Sequence, residues 1–166
     1  MDTKTLSELF ISRAQAVAAR VTVVVDEAAA ERAVAEERTV AEERAMAEER
    51  EVEGDCAGSG SAGSGSVGVV RAAVGIAETG TCVVETDDEE TRLDTMLPET
   101  SVIVLKAKDI VRGLGDVAGY LRGRQDGGKV SYTSFITGPS RTADIERVGA
   151  VGVHGPLAVH VILVEG

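Results

Sequence analysis

Residues 101–137, SVIVLKAKDIVRGLGDVAGYLRGRQDGGKVSYTSFIT, carry the fold in their pattern. Ser101 to Leu105 (SVIVL) is one serine followed by four aliphatic side chains, the composition of a buried strand. From Asp109 to Arg122 the apolar residues Ile110, Val111, Leu114, Val117, Ala118 and Leu121 recur at helical spacing, and Asp109 stands where a helix would start. Val130 to Thr137 returns to β-branched and aromatic composition. Strand, helix, strand at these lengths predicts an α/β domain, an open and mainly parallel sheet covered by helices.

Working outward, Gly138-Pro139-Ser140-Arg141 follows the second strand, and a short helix is expected from Pro139 through Arg147. A loop with Gly152, His154, Gly155 and Pro156 then leads into a last strand, Ala158 to Val164. Upstream, VGVV (67–70) and AAVGIAE (72–78) lead through a tight turn at Gly80 to CVVET (82–86). Glu89 to Leu97 reads as a short helix stopped by Pro98.

Before residue 67 the texture changes. Residues 3–20 predict a helix, with Leu6, Leu9, Phe10, Ala14 and Val17 at spacings of three and four, and Val21 to Val25 a short strand. Asp26 is placed to cap the helix expected after it. Residues 28–53 contain three hexads, AVAEER, TVAEER and AMAEER, rich in good helix formers. A period of six advances the apolar position by about 600° at about 100° per residue. Val34, Val40, Met46 and Val52 therefore spiral around the helix, which excludes a coiled-coil seam. The expectation is a solvated helix projecting from the domain or loosely laid on it, with partial disorder as the rival. Gly54 to Ser66 is a Gly/Ser linker by composition. The chain thus divides into an N-terminal helical segment (1–53), part of or appended to the domain, a linker (54–66) and a core (67–166).

Composition narrows the function. The net charge is −11, with seven basic against fourteen acidic side chains in residues 1–66 and ten against fourteen in 67–166. Such a chain repels phosphate backbones, so no nucleic-acid partner is expected. No apolar run reaches transmembrane length, and no apolar leader follows Lys4. Cys56 and Cys82 are too few and too far apart for a metal or cluster motif, so neither a metal nor an iron–sulphur cluster is expected in this chain, and a cytoplasmic setting fits. Aromatic residues are only 2% of the chain, so the core must be built from Val, Ile, Leu and Ala. Neither GxGxxG after a first strand nor GxxxxGK[ST] occurs, so ordinary dinucleotide and P-loop sites are excluded; the cofactor stays open.

Three segments go beyond architecture: IAETGT (76–81), TGPSRTADIE (137–146), and GVHGP (152–156) followed by HVIL (160–163). In this order and spacing they resemble the signature of the LutC/YkgG family of LUD-domain proteins, the lactate utilisation protein C group. Leu97-Pro98 and VIVLKAKDIV (102–111) sit where that family places similar residues. The resemblance covers about residues 67–166. The EER repeats and linker depart from it. It implies a three-layer α/β/α sandwich like that of the NagB/RpiA/CoA-transferase proteins. It also implies a role beside iron–sulphur partner subunits in oxidising L-lactate to pyruvate.

The residues themselves offer candidate chemistry. At Gly138-Pro139-Ser140-Arg141-Thr142 a helix start would present free N–H groups to an anion. Arg141 could grip a carboxylate or phosphate, with hydroxyls from Ser140 and Thr142. Alternatively Ser140 merely caps the helix and Arg141 pairs with Asp144 or Glu146. His154, in a Gly-rich loop, suits a base toward a 2-hydroxyl proton, or else a structural ring tying two loops together. Glu78 is a candidate base or nucleophile beside the turn Thr79-Gly80-Thr81, or else an acceptor for that turn's N–H groups. Asp144 and His160 read as structural. The function expected is therefore an accessory, non-iron–sulphur subunit of an L-lactate-oxidising complex, with a pocket for a small carboxylate or phosphate. The alternatives are a free-standing enzyme on a small phosphorylated or acyl substrate, and a structural or regulatory interaction protein. Whether this chain is catalytic on its own stays open.

Overall fold

The computed structural model describes residues 2–52, 66–125, 132–143, 149–151 and 155–166. In chain order the elements are α1 (Thr3–Ala16), β1 (Arg20–Val24), α2 (Glu27–Val52), β2 (Val67–Arg71), β3 (Val74–Ile76), β4 (Thr81–Thr86), α3 (Glu89–Asp94) and β5 (Thr100–Lys106). A single 3₁₀ turn (Ala107–Asp109) follows, then β6 (Ile110–Val111), α4 (Leu114–Gln125), β7 (Tyr132–Ile136), β8 (Arg141–Ala143), β9 (Gly149–Val151) and β10 (Ala158–Val164).

Four strands form the expected parallel sheet, in the order β1-β10-β5-β2. Val21, Val161, Ile103 and Val70 share one row across it, and Thr22, Ile162, Val104 and Arg71 share the next. Successive rows face opposite sides. The two central strands are buried on both faces, which is why their sequences run apolar without alternation.

One face packs on α2: Ala30, Ala33 and Val34 meet Val102, Val104, Ile162 and Val164. The other face packs on α1, through Phe10 and Ala14, and on a second sheet of order β6-β3-β4-β7, through Cys82 and Val84. That second sheet mixes parallel and antiparallel pairs. It lies close enough that a Cβ on Gly75 would sit 2.6 Å from Cδ2 of Leu105, so glycine is what allows the approach. Its far face is covered by Val117 and Leu121 of α4. The class is thus α/β, a parallel sheet flanked by helices, with a second sheet inserted on one side.

Several local expectations change. Helix α1 ends at Ala16, not at residue 20, because Ala18 turns left-handed (φ 66°) and Ala19 N–H closes back onto the Ala14 carbonyl at 3.0 Å. The helix expected from Asp109 begins at Leu114; Ile110 and Val111 are a strand paired with Gly75 and Ile76. Gly113 breaks the continuity, and its N–H is accepted by the Asp116 carboxylate at 3.1 Å. No helix opens at Pro139: residues 141–143 are a strand paired antiparallel to 149–151. The remainder of the expected helix, residues 144–147, lies outside the described residues, as do residues 54–65 of the expected linker.

Helix α2 begins as expected, with the Asp26 carboxylate accepting the Ala29 N–H at 2.7 Å. Its first half is not loosely attached. Ala30, Ala33, Val34, Glu37 and Ala41 fall on one face at spacings of three and four, and Ala30 and Ala41 are buried. Val40 and Met46, the residues that spiral, are exposed. The buried stripe is made of alanines, which a search for bulky apolar positions passes over.

On the α2 face, the row containing Arg20, His160 and Val102 is broken by polar groups. His160 is buried, with Nε2 2.8 Å from Thr22 Oγ1 and Nδ1 3.2 Å from both Arg20 Nη2 and Glu37 Oε1. Both ring nitrogens are thus engaged, as a satisfied sheet residue requires. Burial, then the Arg20 charge, lower its pKa below the usual histidine value, partly offset by Glu37.

Leu105→Ala, which empties the contact between the two sheets, should cost about 2–5 kcal/mol in urea unfolding. The buried histidine gives a second test, through pH. A histidine with a lowered folded pKa takes up its proton more readily when unfolded. Its stabilising contribution is therefore present above the unfolded value near 6.5 and declines as pH falls below it. Between about pH 7.5 and about pH 5.5 the parent should lose more stability than His160→Gln. Parallel stability–pH curves for the two proteins would contradict the assignment.

Candidate functional site

Strands β3 and β4 are joined by Ala77-Glu78-Thr79-Gly80. The Gly80 N–H donates to the Ile76 carbonyl at 2.9 Å, closing the turn. The N–H groups of Ala77 and Glu78 donate to the Val111 and Arg112 carbonyls at 2.9 and 3.0 Å, fixing it against β6. Gly80 has φ 66°, and a Cβ there would lie 2.3 Å from the Ala14 backbone nitrogen. Only glycine serves both needs.

From this turn a chain of hydroxyls crosses to β7. Thr79 Oγ1 lies 2.6 Å from Thr81 Oγ1, which lies 2.7 Å from Thr137 Oγ1. Each hydroxyl can donate one bond and accept another, so the chain can polarise along its length. The next residue, Gly138, has φ 71°, and a Cβ on it would fall 2.3 Å from the Val17 carbonyl oxygen. Gly80 and Gly138 therefore press two different turns onto the last turn of α1.

Beyond Gly138 the backbone meets the third signature segment. The Ser140 N–H donates to the Pro156 carbonyl at 3.1 Å, and a Cβ on Gly155 would lie 3.2 Å from Ser140 Cβ. Two bonds, Thr81–Thr137 and Ser140–Pro156, thus join the three segments IAETGT, TGPSRTADIE and GVHGP. Between them opens a cleft of about 630 Å³ lined by Val17, Thr95, Met96, Phe135, Thr137 to Ser140, Gly155 and Pro156, among others. These lining side chains are uncharged. Phe135, Met96 and nearby Leu157 are exposed apolar groups at this end of the molecule.

Of the residues singled out from the sequence, Gly138 and Ser140 line the cleft, and Thr79 and Thr81 stand behind it in the hydroxyl chain. Arg141 and Thr142 continue the backbone from Ser140 into β8. His154 and Asp144 lie outside the described residues. Glu78 is not part of the cleft. Its carboxylate accepts from Arg112 Nε at 3.3 Å and covers Gly113, where a Cβ would stand 2.6 Å from Oε2. Both partners are largely exposed, so the pair contributes little to stability. Thr137, Phe135 and Thr95 were not singled out. Thr137 was legible as the first residue of TGPSRTADIE, but Thr95 and Val17 enter only through tertiary packing.

The cleft differs from the expectation in one respect. Without a helix at Pro139 there is no helix N-terminus, and no macrodipole, to attract an anion. What the described residues supply is three neutral hydroxyls, one of them Thr95 already donating to the Arg92 carbonyl at 2.7 Å. Cys82, behind the turn, is buried, and its thiol is pushed up to about 12 by desolvation, which leaves it an inert core group.

A parallel sheet flanked by helices, with a cleft where three glycine-bearing segments meet, defines an α/β domain by its architecture. A family model, the LUD domain, matches residues 59–164, and the chain belongs to that family. Among curated proteins it is similar to Lactate utilization protein C of Geobacillus thermodenitrificans, 36% identical over 101 residues, 60% of this chain and 42% of that protein. It is similar also to Uncharacterized protein YkgG of Escherichia coli K12, at 37% over 101 residues, 60% of this chain and 44% of that one. Lactate utilization protein C of Bacillus subtilis matches at 33% over 102 residues, 60% of this chain and 42% of that protein. The matched region spans less than half the length of these relatives. Among solved structures, a DUF162 family protein from Deinococcus radiodurans superposes with a TM-score of 0.56 over 99% of both chains at 16% identity, a likeness of fold. No helix among the described residues is long and apolar enough to cross a membrane.

The two turn glycines give a direct test. Gly138→Ala forces an L-residue into the left-handed region, costing about 1–2 kcal/mol before the clash with Val17 is counted. It should lower stability in urea by more than that figure, whereas Gly119→Ala, with open space around its Cβ on α4, should not destabilise. Equal stability of Gly138→Ala and the parent would mean that the turn does not bear on α1.

Proposed function

We propose that this chain serves L-lactate utilisation as a non-iron–sulphur subunit of a complex that oxidises L-lactate to pyruvate. In this reading the cleft at Ser140 takes a small carboxylate or phosphate. The observation that carries the proposal is the convergence of the three signature segments on one cleft, through the Thr81–Thr137 and Ser140–Pro156 bonds. Relatives that share the matched region are named for lactate utilisation.

The division of labour follows from chemistry. The lining hydroxyls of Thr137 and Ser140 offer donors, and the apolar wall of Met96, Phe135 and Val17 suits the methyl end of a three-carbon acid. Among the described residues the cleft lining brings no charge, so in this reading the cation is Arg141, one residue along the backbone from Ser140. Its guanidinium can hold a carboxylate through two parallel bonds, with Thr142 beside it. Gly80 and the hydroxyls of Thr79 and Thr81 brace the cleft from behind. His154, one residue before Gly155, takes the 2-hydroxyl proton as base in this reading. Oxidation of lactate releases two electrons and two protons; the electrons pass to iron–sulphur partner subunits. Glu78, the other candidate base, is assigned no role in this reading, because it lies outside the cleft lining and its carboxylate faces Arg112.

Two measurements test the reading. By calorimetry, Arg141→Ala should weaken L-lactate or phosphate binding about tenfold or more, the loss of one bidentate charged contact, while the melting temperature stays near that of the parent. Tagged chain purified from its native host should bring down proteins containing iron and acid-labile sulphide. Equal affinities in parent and variant would remove the anion site, and a chain that elutes alone under mild conditions would remove the complex.

A further inference from the structure

At the far side of β2 lies a second cleft, of about 240 Å³, lined by Arg71, Ala72, Ala73, Val104, Lys106, Lys108 and Asp109. It sits at the carboxyl ends of two neighbouring parallel strands. Arg71 closes β2 and Lys106 closes β5, and the Ala72 N–H donates to the Val104 carbonyl at 2.9 Å between them. Open parallel sheets bind ligands in the crevice beyond their strand carboxyl ends. Three cations meet there, in a chain whose net charge is −11.

The cleft already answers to a carboxylate. Glu27, in the first turn of α2, pairs with Arg71 Nη1 through Oε1, and its Oε2 lies 3.9 Å from Lys106 Nζ. Lys108 has no carboxylate partner among the described residues. One negative charge from Glu27 and one from Asp109 thus face three positive ones. All the paired side chains are partly open to water, at 40% to 59% exposure, so the internal pairs are weak and exchangeable.

We propose that this cleft is a binding site for a phosphate dianion, free or as the phosphate of a small ester, and that Glu27 occupies it in the absence of ligand. A guanidinium and two ammonium groups match a phosphate's several acceptor oxygens, two of them directional through arginine. A monocarboxylate brings no more charge than Glu27 already does, so it gains little by displacing it. A dianion gains the third cation, Lys108. The site is separate from the cleft at Ser140 and does not depend on its role.

The test is calorimetric titration of the full chain with inorganic phosphate and with methyl phosphate at low ionic strength, with sodium chloride matched as control. Phosphate should bind in saturable fashion. Lys108→Gln, an exposed change that leaves the fold intact, should weaken it about tenfold, the loss of one charged contact. Glu27→Gln, which removes the internal competitor, should tighten it. Arg141→Ala should leave it unchanged, which separates this site from the first cleft. Tighter binding of methyl phosphate than of inorganic phosphate would assign the natural ligand to the esters, and the reverse to the free ion. Binding that chloride abolishes at matched ionic strength, or that neither Lys108→Gln nor Glu27→Gln alters, would overturn the proposal.

Discussion

The structure depends on the insertion of β10 between β1 and β5. The last strand of the chain supplies Ala158 to Val164 to the middle of the parallel sheet, pairing Arg20 with His160 on one side and Thr100 with Ala158 on the other. Without it, β1 has no partner, and α1 and α2 lose the surface on which they rest. Partners separated by 140 positions must meet before that surface exists, and such closure is slow because chain entropy is spent before the apolar contacts form. Apart from His160, the strand's apolar sequence reflects this position, since burial on two faces leaves no room for alternation.

The same packing explains why the signature segments contain glycine where they do. Gly80 and Gly138 lie in separate parts of the chain, yet each abuts the last turn of α1 with no space for a Cβ. Their first duty is architectural: they seat the β3–β4 turn and the end of β7 against a common support. The cleft is a consequence of that seating. Thr81 and Thr137 are close enough to share a proton because both turns are pinned to one helix end.

How far this was legible in the sequence varies by element, for physical reasons. Buried strands such as β5 and β10 announce themselves by composition, and the Asp26 cap by a side chain that can reach the third residue on. The segment 109–122 misled because Ile110 and Val111 fit a helical stripe and a strand equally well, and only pairing with β3 decides between them. Pro139 misled similarly: proline is at home in a first helical turn, but it is as much at home in the bend that precedes β8. Of the site, the three segments were legible as motifs, while their meeting at Ser140 and Pro156 was not, because a backbone bond between distant loops leaves no local pattern. The second, basic cleft was invisible for the same reason. Arg71, Lys106 and Lys108 are ordinary surface cations until the strand register sets them side by side.

Helix α2 shows how a repeat without a seam can still dock with one register. Its contact face is mostly alanine, so the backbone comes close to the sheet, and short reach lets its acidic side chains touch the sheet's few polar points. Glu27 meets Arg71 and Lys106 at the strand carboxyl ends, and Glu37 meets Arg20 and His160, two rows back from Arg71 and four from Lys106. Ten helical residues advance about 15 Å, and four strand residues about 13 Å. The helical span matches the distance from the His160 row to Lys106, and Arg71, two rows nearer, meets Glu27 through its long side chain. A slip of a single turn, about 5.4 Å, would carry Glu37 away from His160 toward the next row on that face, which Thr22, Ile162 and Val104 occupy. The apolar stripe, three alanines and Val34, offers little relief to resist such a slip. Glu37, much the better buried of the two glutamates, therefore anchors the register, and Glu27 arrives at the mouth of the basic cleft as the exchangeable end.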